Sequence, residues 1–228
     1  MTRRSATLPA ALAFVIAFAS STASAARFET GGHFVVAEPT GGFDRVADTG
    51  FGIQGFGLVR LDPAGWFGLR LDAGFLNYGS EEYDVPFSTT VPVTVHVSTT
   101  NNIILLGIGP YVCAPGGAVR PYAFGAIGLG YFYTQTSASE RGTGEEIATD
   151  QQQSSTVLAW GAGGGLKIPV SRRWSIDLGV EYRAHQDAEY VTEGGITQDP
   201  GTGDVYVDVW KSDVNLLLFK LGVSFSIP

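Results

Sequence analysis

The feature that most constrains this chain is a period-two alternation in which one face is large and apolar and the other is small with a few charges. In residues 66–75, Phe67, Leu69, Leu71, Ala73 and Phe75 fall on one side, with Gly68, Arg70, Asp72 and Gly74 on the other. Residues 174–184 repeat it, setting Trp174, Ile176, Leu178, Val180 and Tyr182 against Ser175, Asp177, Gly179, Glu181 and Arg183. Residues 156–168 set Leu158, Trp160, Ala162, Leu166 and Ile168 against Ala159, Gly161, Gly163, Gly165 and Lys167. The last segment sets Phe219, Leu221, Val223, Phe225 and Ile227 against Lys220, Gly222, Ser224 and Ser226. Helical periodicity is hard to find after Ala26, and no stretch approaches ~18 consecutive apolar residues, so a membrane crossing would have to be made by strands.

Four weaker segments, 27–36, 50–61, 93–112 and 121–134, bring the expected strands to eight. In the last, neither face is clearly polar, and the pattern leaves open whether Tyr122 and Phe124 or Ile127 and Leu129 point outward. The connections at 62–65, 113–120 and 169–173 are short. Those at 37–49, 79–92, about 135–155 and about 185–212 are long, and the two kinds alternate strictly. In an up-and-down meander this puts every long connection at one end, and every short turn at the other with both termini. Glu145, Glu146 and Glu193 are thus expected at the long-loop end, facing the cell exterior, and Cys113 in a short turn at the opposite end.

In a soluble sheet the second face would carry many charges. Here it carries Gly, Ser and Ala with Gln54, Arg60, Arg70, Asp72, Lys167, Asp177, Glu181, Arg183 and Lys220. Small residues and sparse, mixed charge suit the interior of a narrow eight-stranded barrel, where large side chains would collide. The apolar face, with Trp66, Trp174 and Tyr182 near its ends, suits lipid bounded by an aromatic belt. About 11 residues at ~3.3 Å each, tilted ~40°, span roughly 28 Å, close to a hydrocarbon core. Hydrocarbon offers no partner for free backbone N–H and C=O groups, so such a sheet has to close. The expected fold is all-β: an eight-stranded antiparallel up-and-down transmembrane β-barrel. A symmetric turn at 169–173 would place Lys167 one diagonal from Asp177, within salt-bridge reach.

Residues 1–25 read as a cleaved signal peptide, leaving a barrel domain over 26–228. Arg3 and Arg4 form a basic start, residues 8–19 an apolar run too short to span a bilayer, and Ala23-Ser24-Ala25 a small-residue cleavage site. The chain has a formal charge of −8, two units more negative without Arg3 and Arg4, the wrong sign for a general nucleic-acid binder. Charged residues make up only 16% of the chain. That is low against the ~25% of soluble domains, while the Gly- and aromatic-rich composition argues against disorder. The single cysteine excludes an internal disulfide and a cysteine-based zinc cluster.

Chemistry is sparse. Gly50-Phe-Gly52-Ile-Gln-Gly55 matches a nucleotide-loop string without its strand–turn–helix setting. His185 with Ser212, Ser154 or Ser155 is the one constellation that could serve a lipid-modifying enzyme. Asp72, Asp177 and Glu181 could supply a carboxylate pair, but substrates do not reach a filled lumen. The long connections are acidic, and the run from Asp199 through Asp204 to Asp208 departs from the EF-hand spacing. No cofactor, metal site or catalytic residue is expected.

Leu106-Gly-Ile-Gly-Pro-Tyr-Val112 followed by Arg120-Pro-Tyr122, and the stretch from Pro169-Val-Ser-Arg-Arg-Trp174 to Glu181-Tyr-Arg183, resemble the outer-membrane protein β-barrel domain family of small porin-like barrels. The alternation Phe219-x-Leu221-x-Val223-x-Phe225-x-Ile227 is similar to the assembly signal read by the outer-membrane insertion machinery. It departs from the usual pattern by ending Ser226-Ile227-Pro228 after the last aromatic residue. The resemblance covers nearly all of 26–228 and implies a Gram-negative-type outer membrane, with its lipid and insertion machinery as partners.

The expected function is a structural or surface-interaction barrel with acidic external loops and a closed lumen holding Arg60, Arg70, Asp72, Lys167, Asp177, Glu181, Arg183 and Lys220. Three rivals stand beside it: a narrow solute channel, an outer-membrane lipid-modifying enzyme, and a soluble secreted lipocalin-type barrel with its apolar face inside.

Overall fold

Eight strands follow one another with no crossover. They are β1 (Phe28–Thr40), β2 (Gly50–Arg60), β3 (Phe67–Pro86), β4 (Thr94–Cys113), β5 (Arg120–Glu140), β6 (Glu146–Pro169), β7 (Trp174–Gln198) and β8 (Val205–Ile227). Each pairs antiparallel with its neighbour, and β1 pairs with β8 from Phe28↔Ile227 to Thr40↔Asn215, closing the barrel. The computed structural model describes residues 28–45, 47–86, 94–140, 146–198 and 205–227. The leader read over 1–25 lies outside these, as do Glu145 and part of the Asp199–Asp208 run.

Closure leaves no strand edge, so every strand has a hydrogen-bonding neighbour on both sides. The pleat then sorts the side chains. Ile53, Ile127, Leu158, Trp160, Leu221 and Val223 are at least half exposed on the outside, while Arg70, Asp72, Lys167, Asp177, Glu181 and Arg183 are buried within. A protein folded for water has the reverse arrangement. The soluble lipocalin-type reading needs its apolar face inside, and the structure puts that face outside.

In β5 the open question of facing is resolved: Tyr122, Phe124 and Ala126 are buried, and Ile127 and Leu129 are exposed. Tyr122 and Phe124 can enter because the adjoining strand offers glycines. A Cβ at Gly163 would lie 2.7 Å from the Phe124 ring, and one at Gly165 would lie 2.7 Å from the Tyr122 hydroxyl.

Three connections read as long loops are largely strand. Pairing runs up to Pro86↔Thr94, Ser139↔Glu146 and Gln198↔Val205, leaving 87–93, 141–145 and 199–204 between the paired strands. Glu146 therefore begins β6, and Glu193 lies within β7. The reason is local: 94–97 (Thr-Val-His-Val) and 205–210 (Val-Tyr-Val-Asp-Val-Trp) are β-branched and aromatic, so the hairpins continue past the apolar belt. β1 and β2 have 13 and 11 residues, against 25 in β7. The wall is therefore low on one side, between the ends of β1 and β2. Register slips at Asn77/Gly79, Thr134/Gln135, Ala138/Ser139, His185/Ala188 and Val191/Ile196 mark where the hairpins bend.

Candidate functional site

The lumen is layered. At the short-turn end, Glu29 of β1 accepts from Arg60 Nη2 at 3.0 Å and from Lys167 Nζ, and Lys167 also donates to Tyr111 Oη at 3.2 Å. Lys167 belongs to β6 and Glu29 to β1, so the pair bridges the bore. The expected Lys167–Asp177 link is corrected here. The two face each other in the β6–β7 register, but the ammonium reaches inward to Glu29. Asp177 accepts instead from Tyr122 Oη at 2.5 Å and lies 3.4 Å from His33 Nε2.

The middle layer is a chain of charges from β3, β7 and β8. Arg70 Nε donates to Asp72 Oδ1 at 2.7 Å, Asp72 Oδ2 lies 3.7 Å from Arg183 Nη2, Arg183 Nε lies 2.9 Å from Glu181 Oε1, and Glu181 takes Lys220. Two of these links join residues i and i+2 of one strand, which share a face by the period of the pleat. Arg70 is also sandwiched between aromatic rings, its guanidinium carbon 4.3 Å from the Phe56 centroid and 4.5 Å from that of Phe124. Gly107 makes the crossing possible, because a Cβ there would sit 2.7 Å from Arg183 Nη2 and 3.0 Å from Asp72 Oδ2. Buried charges persist only when paired and hydrogen-bonded, so each member of this chain depends on the others.

Above the charges lies an apolar plug. Phe43, in a 3-10 turn at Phe43–Arg45, is fully buried and packs 5.6 Å from Tyr78. Tyr78 meets Phe132, and Phe132 meets His185 edge-on at 5.3 Å. Val35, Leu76, Ile103, Leu105, Leu216 and Leu218 complete the plug. A second apolar cluster, Phe56, Leu58, Tyr111, Cys113, Tyr122 and Phe124, lines the bore nearer the short turns.

Seven of the eight charges read from the sequence are buried, and Arg60 sits at the rim with its side chain 13% exposed. Glu29, His33, Tyr111 and Tyr122 join them, outside the set of charges that the alternation predicts. The signal for Glu29 and His33 was present in β1, since Glu29, Gly31 and His33 share parity. Phe28-Glu-Thr-Gly-Gly-His-Phe-Val-Val36 has no sustained alternation to decide which parity points inward.

Outside, Trp66 and Trp174 are half exposed at the short-turn end, and Trp174 packs against Phe225 at 4.9 Å. Tyr182 is exposed eight residues further along β7 and meets Trp160 edge-on at 6.0 Å. Of the terminal alternation, Phe219, Leu221, Val223 and Ile227 are exposed and Phe225 is half-buried.

The serine–histidine constellation is not assembled. His185 lies within β7, fully buried, with Nδ1 3.1 Å from the Val214 carbonyl, and its Nε2 bonds no hydroxyl of Ser154, Ser155 or Ser212. The glycine string 50–55 lies inside β2, with no helix following it. Cys113 ends β4 and is buried in the lumen, so it is not a turn residue; its thiol faces the Ala114 carbonyl at 3.4 Å.

A closed eight-stranded wall with lipid-compatible side chains outside and paired charges inside is the architecture of an outer-membrane barrel, and a family comparison decides the matter. The model for the outer membrane protein beta-barrel domain matches residues 7–217. The chain belongs to that family. Its place is the outer membrane. No curated protein matches the chain significantly. Among solved structures, a major outer membrane protein from Thermus thermophilus matches with TM-score 0.52 and 15% identity, over 90% of this chain and 100% of that one. The attachment invasion locus protein Ail of Yersinia pestis matches at TM-score 0.45 and 14% identity, over 89% and 99%. OprG from Pseudomonas aeruginosa matches at 0.47 and 13%, over 89% and 96%.

Proposed function

We propose that this family member is a non-catalytic outer-membrane barrel with a structural or surface-interaction role and a lumen closed to solutes. The filled bore carries the reading. Gly161, Gly163 and Gly165 would leave a thin water file along β6, but Glu181, Phe124 and Tyr122 crowd those three positions. Above them, the plug around Phe43 covers the bore. Opening a path would separate buried ion pairs, which costs several kcal/mol per uncompensated ion.

On this reading residues 1–25 direct export and are removed, and Phe219, Leu221, Val223, Phe225 and Ile227 present the assembly signal to the insertion machinery. Trp66, Trp174 and Tyr182, joined by Trp160, form the aromatic belt. The short turns face the periplasm. The hairpins β3–β4, β5–β6 and β7–β8 stand outside the cell as an acidic surface. At that end Glu38, Asp44, Asp48, Asp187 and Asp213 outnumber Arg45 and Lys211 among the described side chains. Such a surface would engage partners by charge.

Reconstitution into planar bilayers at known protein number tests the reading. The expected result is no steady conductance. A reproducible porin-sized conductance whose ion selectivity changes in Lys167→Glu would overturn the closed lumen and establish a channel.

A further inference from the structure

We infer that the short-turn mouth of the barrel is an anion-binding vestibule for a phosphate- or carboxylate-bearing ligand. A cavity of about 450 Å³ opens there, bounded by all three short turns, through Gly65, Pro115 and Arg172, and by both ends of the barrel strand order, through Phe28 and Ile227. Four arginines line it, Arg60, Arg120, Arg172 and Arg173, with Glu29 as the lone carboxylate. That carboxylate is already held by Arg60 and Lys167. Arg120, Arg172 and Arg173 form no ion pair with any described carboxylate, and Arg120 Nε is shut away from solvent without a hydrogen-bond partner.

The frame is held in place. Ser226 N–H donates to the Arg173 carbonyl at 2.8 Å, tying the β6–β7 turn to the end of β8, and Arg60 Nη1 donates to the Gly65 carbonyl of the β2–β3 turn. Arg120 shares the inward parity of Tyr122, so its guanidinium is presented to the bore side of the mouth. Guanidinium groups offer planar forks of donors that match the oxygens of phosphate and carboxylate, and their strength rises where water is partly excluded. The volume fits a small ligand or a headgroup. Glu29 lines the cavity and is held there by Lys167 of the lumen, so a ligand enters without crossing the bore.

Two sources present this chemistry: a soluble oxyanion, or the phosphodiester of a lipid in the adjacent leaflet, which Arg172-Arg173-Trp174 would meet at the membrane interface. The lipid source rests on the membrane orientation proposed above; the anion site does not.

The test uses the full chain refolded in a nonionic detergent, with folding verified by far-UV circular dichroism. Pyrophosphate is titrated by calorimetry. In parallel, native mass spectrometry of protein from nanodiscs compares retained phosphatidylglycerol with phosphatidylcholine. Wild type is expected to bind pyrophosphate or retain phosphatidylglycerol selectively. Both Arg120→Gln and the double variant Arg172→Gln/Arg173→Gln are expected to weaken that by roughly tenfold, since each removes charge-assisted forks. Pyrophosphate binding identifies a soluble-anion site; phosphatidylglycerol selectivity without pyrophosphate binding identifies a headgroup site. Neither signal in wild type, or a signal unchanged in the variants, overturns the proposal. Should Arg120→Gln not refold, the exposed pair Arg172 and Arg173 decides. The conductance experiment is independent of either result.

Discussion

Tyr122 of β5 donates a 2.5 Å hydrogen bond to Asp177 of β7, passing over the intervening strand β6. Two glycines allow it: a Cβ on Gly179 would fall 2.5 Å from the Tyr122 hydroxyl, and one on Gly165 would fall 2.7 Å away. Asp177 is fully buried, so losing its donor leaves a charged acceptor partly uncompensated. Tyr122→Phe is therefore expected to destabilise the barrel by about 1–3 kcal/mol. Gly179→Ala should cost a similar amount by displacing the hydroxyl. Urea unfolding of both single variants and the double variant checks the coupling. The double should cost clearly less than the two singles together, because both break one interaction.

Facing was legible wherever alternation met a strong contrast in size. β3, β6, β7 and β8 carry glycine or charge on one parity and Leu, Phe, Ile or Trp on the other, so their inner residues could be named in advance. β5 could not be read this way, because Tyr122 and Phe124 face inward only where glycines on neighbouring β6 make room. That complement is tertiary and has no trace within residues 121–134. The same limit explains the ion pairs. Arg70–Asp72 and Glu181–Arg183 lie two residues apart on one strand, a spacing visible in the sequence. Lys167–Glu29 joins strands that are not neighbours, so strand register alone pointed to Asp177 instead. The outer hairpins read as loops because 79–86, 146–155 and 187–198 are mostly polar and lack the sustained large apolar face that marks the belt.

Leu178 lies midway between Trp174 and Tyr182, which are about 20 Å apart along the barrel axis at ~3.3 Å rise and ~40° tilt. It is 40% exposed, on the outside of the wall. Leu178→Arg places a cation near the bilayer midplane and should cost roughly 2–4 kcal/mol, with a lower yield of inserted protein. Val170→Arg, in the β6–β7 turn beyond Trp174, should cost less than about 1 kcal/mol. Equilibrium urea titrations in lipid vesicles check both. Equal effects at the two positions would mean that the exposed apolar face does not meet lipid.

In the β2–β3 turn, Asp62 Oδ1 accepts the Phe67 N–H at 2.7 Å and Oδ2 accepts the Trp66 N–H at 3.0 Å. These donors, Phe67 foremost, hold the Asp62 carboxyl below the usual carboxylate range. A depressed folded-state pKa stabilises the turn at pH values above the unfolded-state pKa, and this stabilisation is lost as pH falls through the folded value. Asp62→Ala should therefore lower the urea midpoint at pH 7, with the gap from wild type narrowing at about pH 3. A gap that is constant with pH would show that the two N–H bonds do not depend on the charge.

The orientation in the membrane can be tested at two exposed positions at opposite ends of the barrel. Asp48 lies in the β1–β2 connection, beyond the plug, and Val170 lies in the β6–β7 turn beside Arg172 and Arg173. Each can be replaced by cysteine in a Cys113→Ala background. Cys113 itself is buried between Tyr111 and the short turns, so it should resist an impermeant maleimide from either side of the membrane. If the long-hairpin end faces outward, Asp48→Cys labels on intact cells, whereas Val170→Cys labels only after the outer membrane is permeabilised. Labelling of Val170→Cys on intact cells, with Asp48→Cys silent, would reverse the orientation. The basic vestibule would then face the medium and the acidic hairpins the periplasm. The anion-binding geometry would survive that reversal, but its lipid source would have to be the outer leaflet.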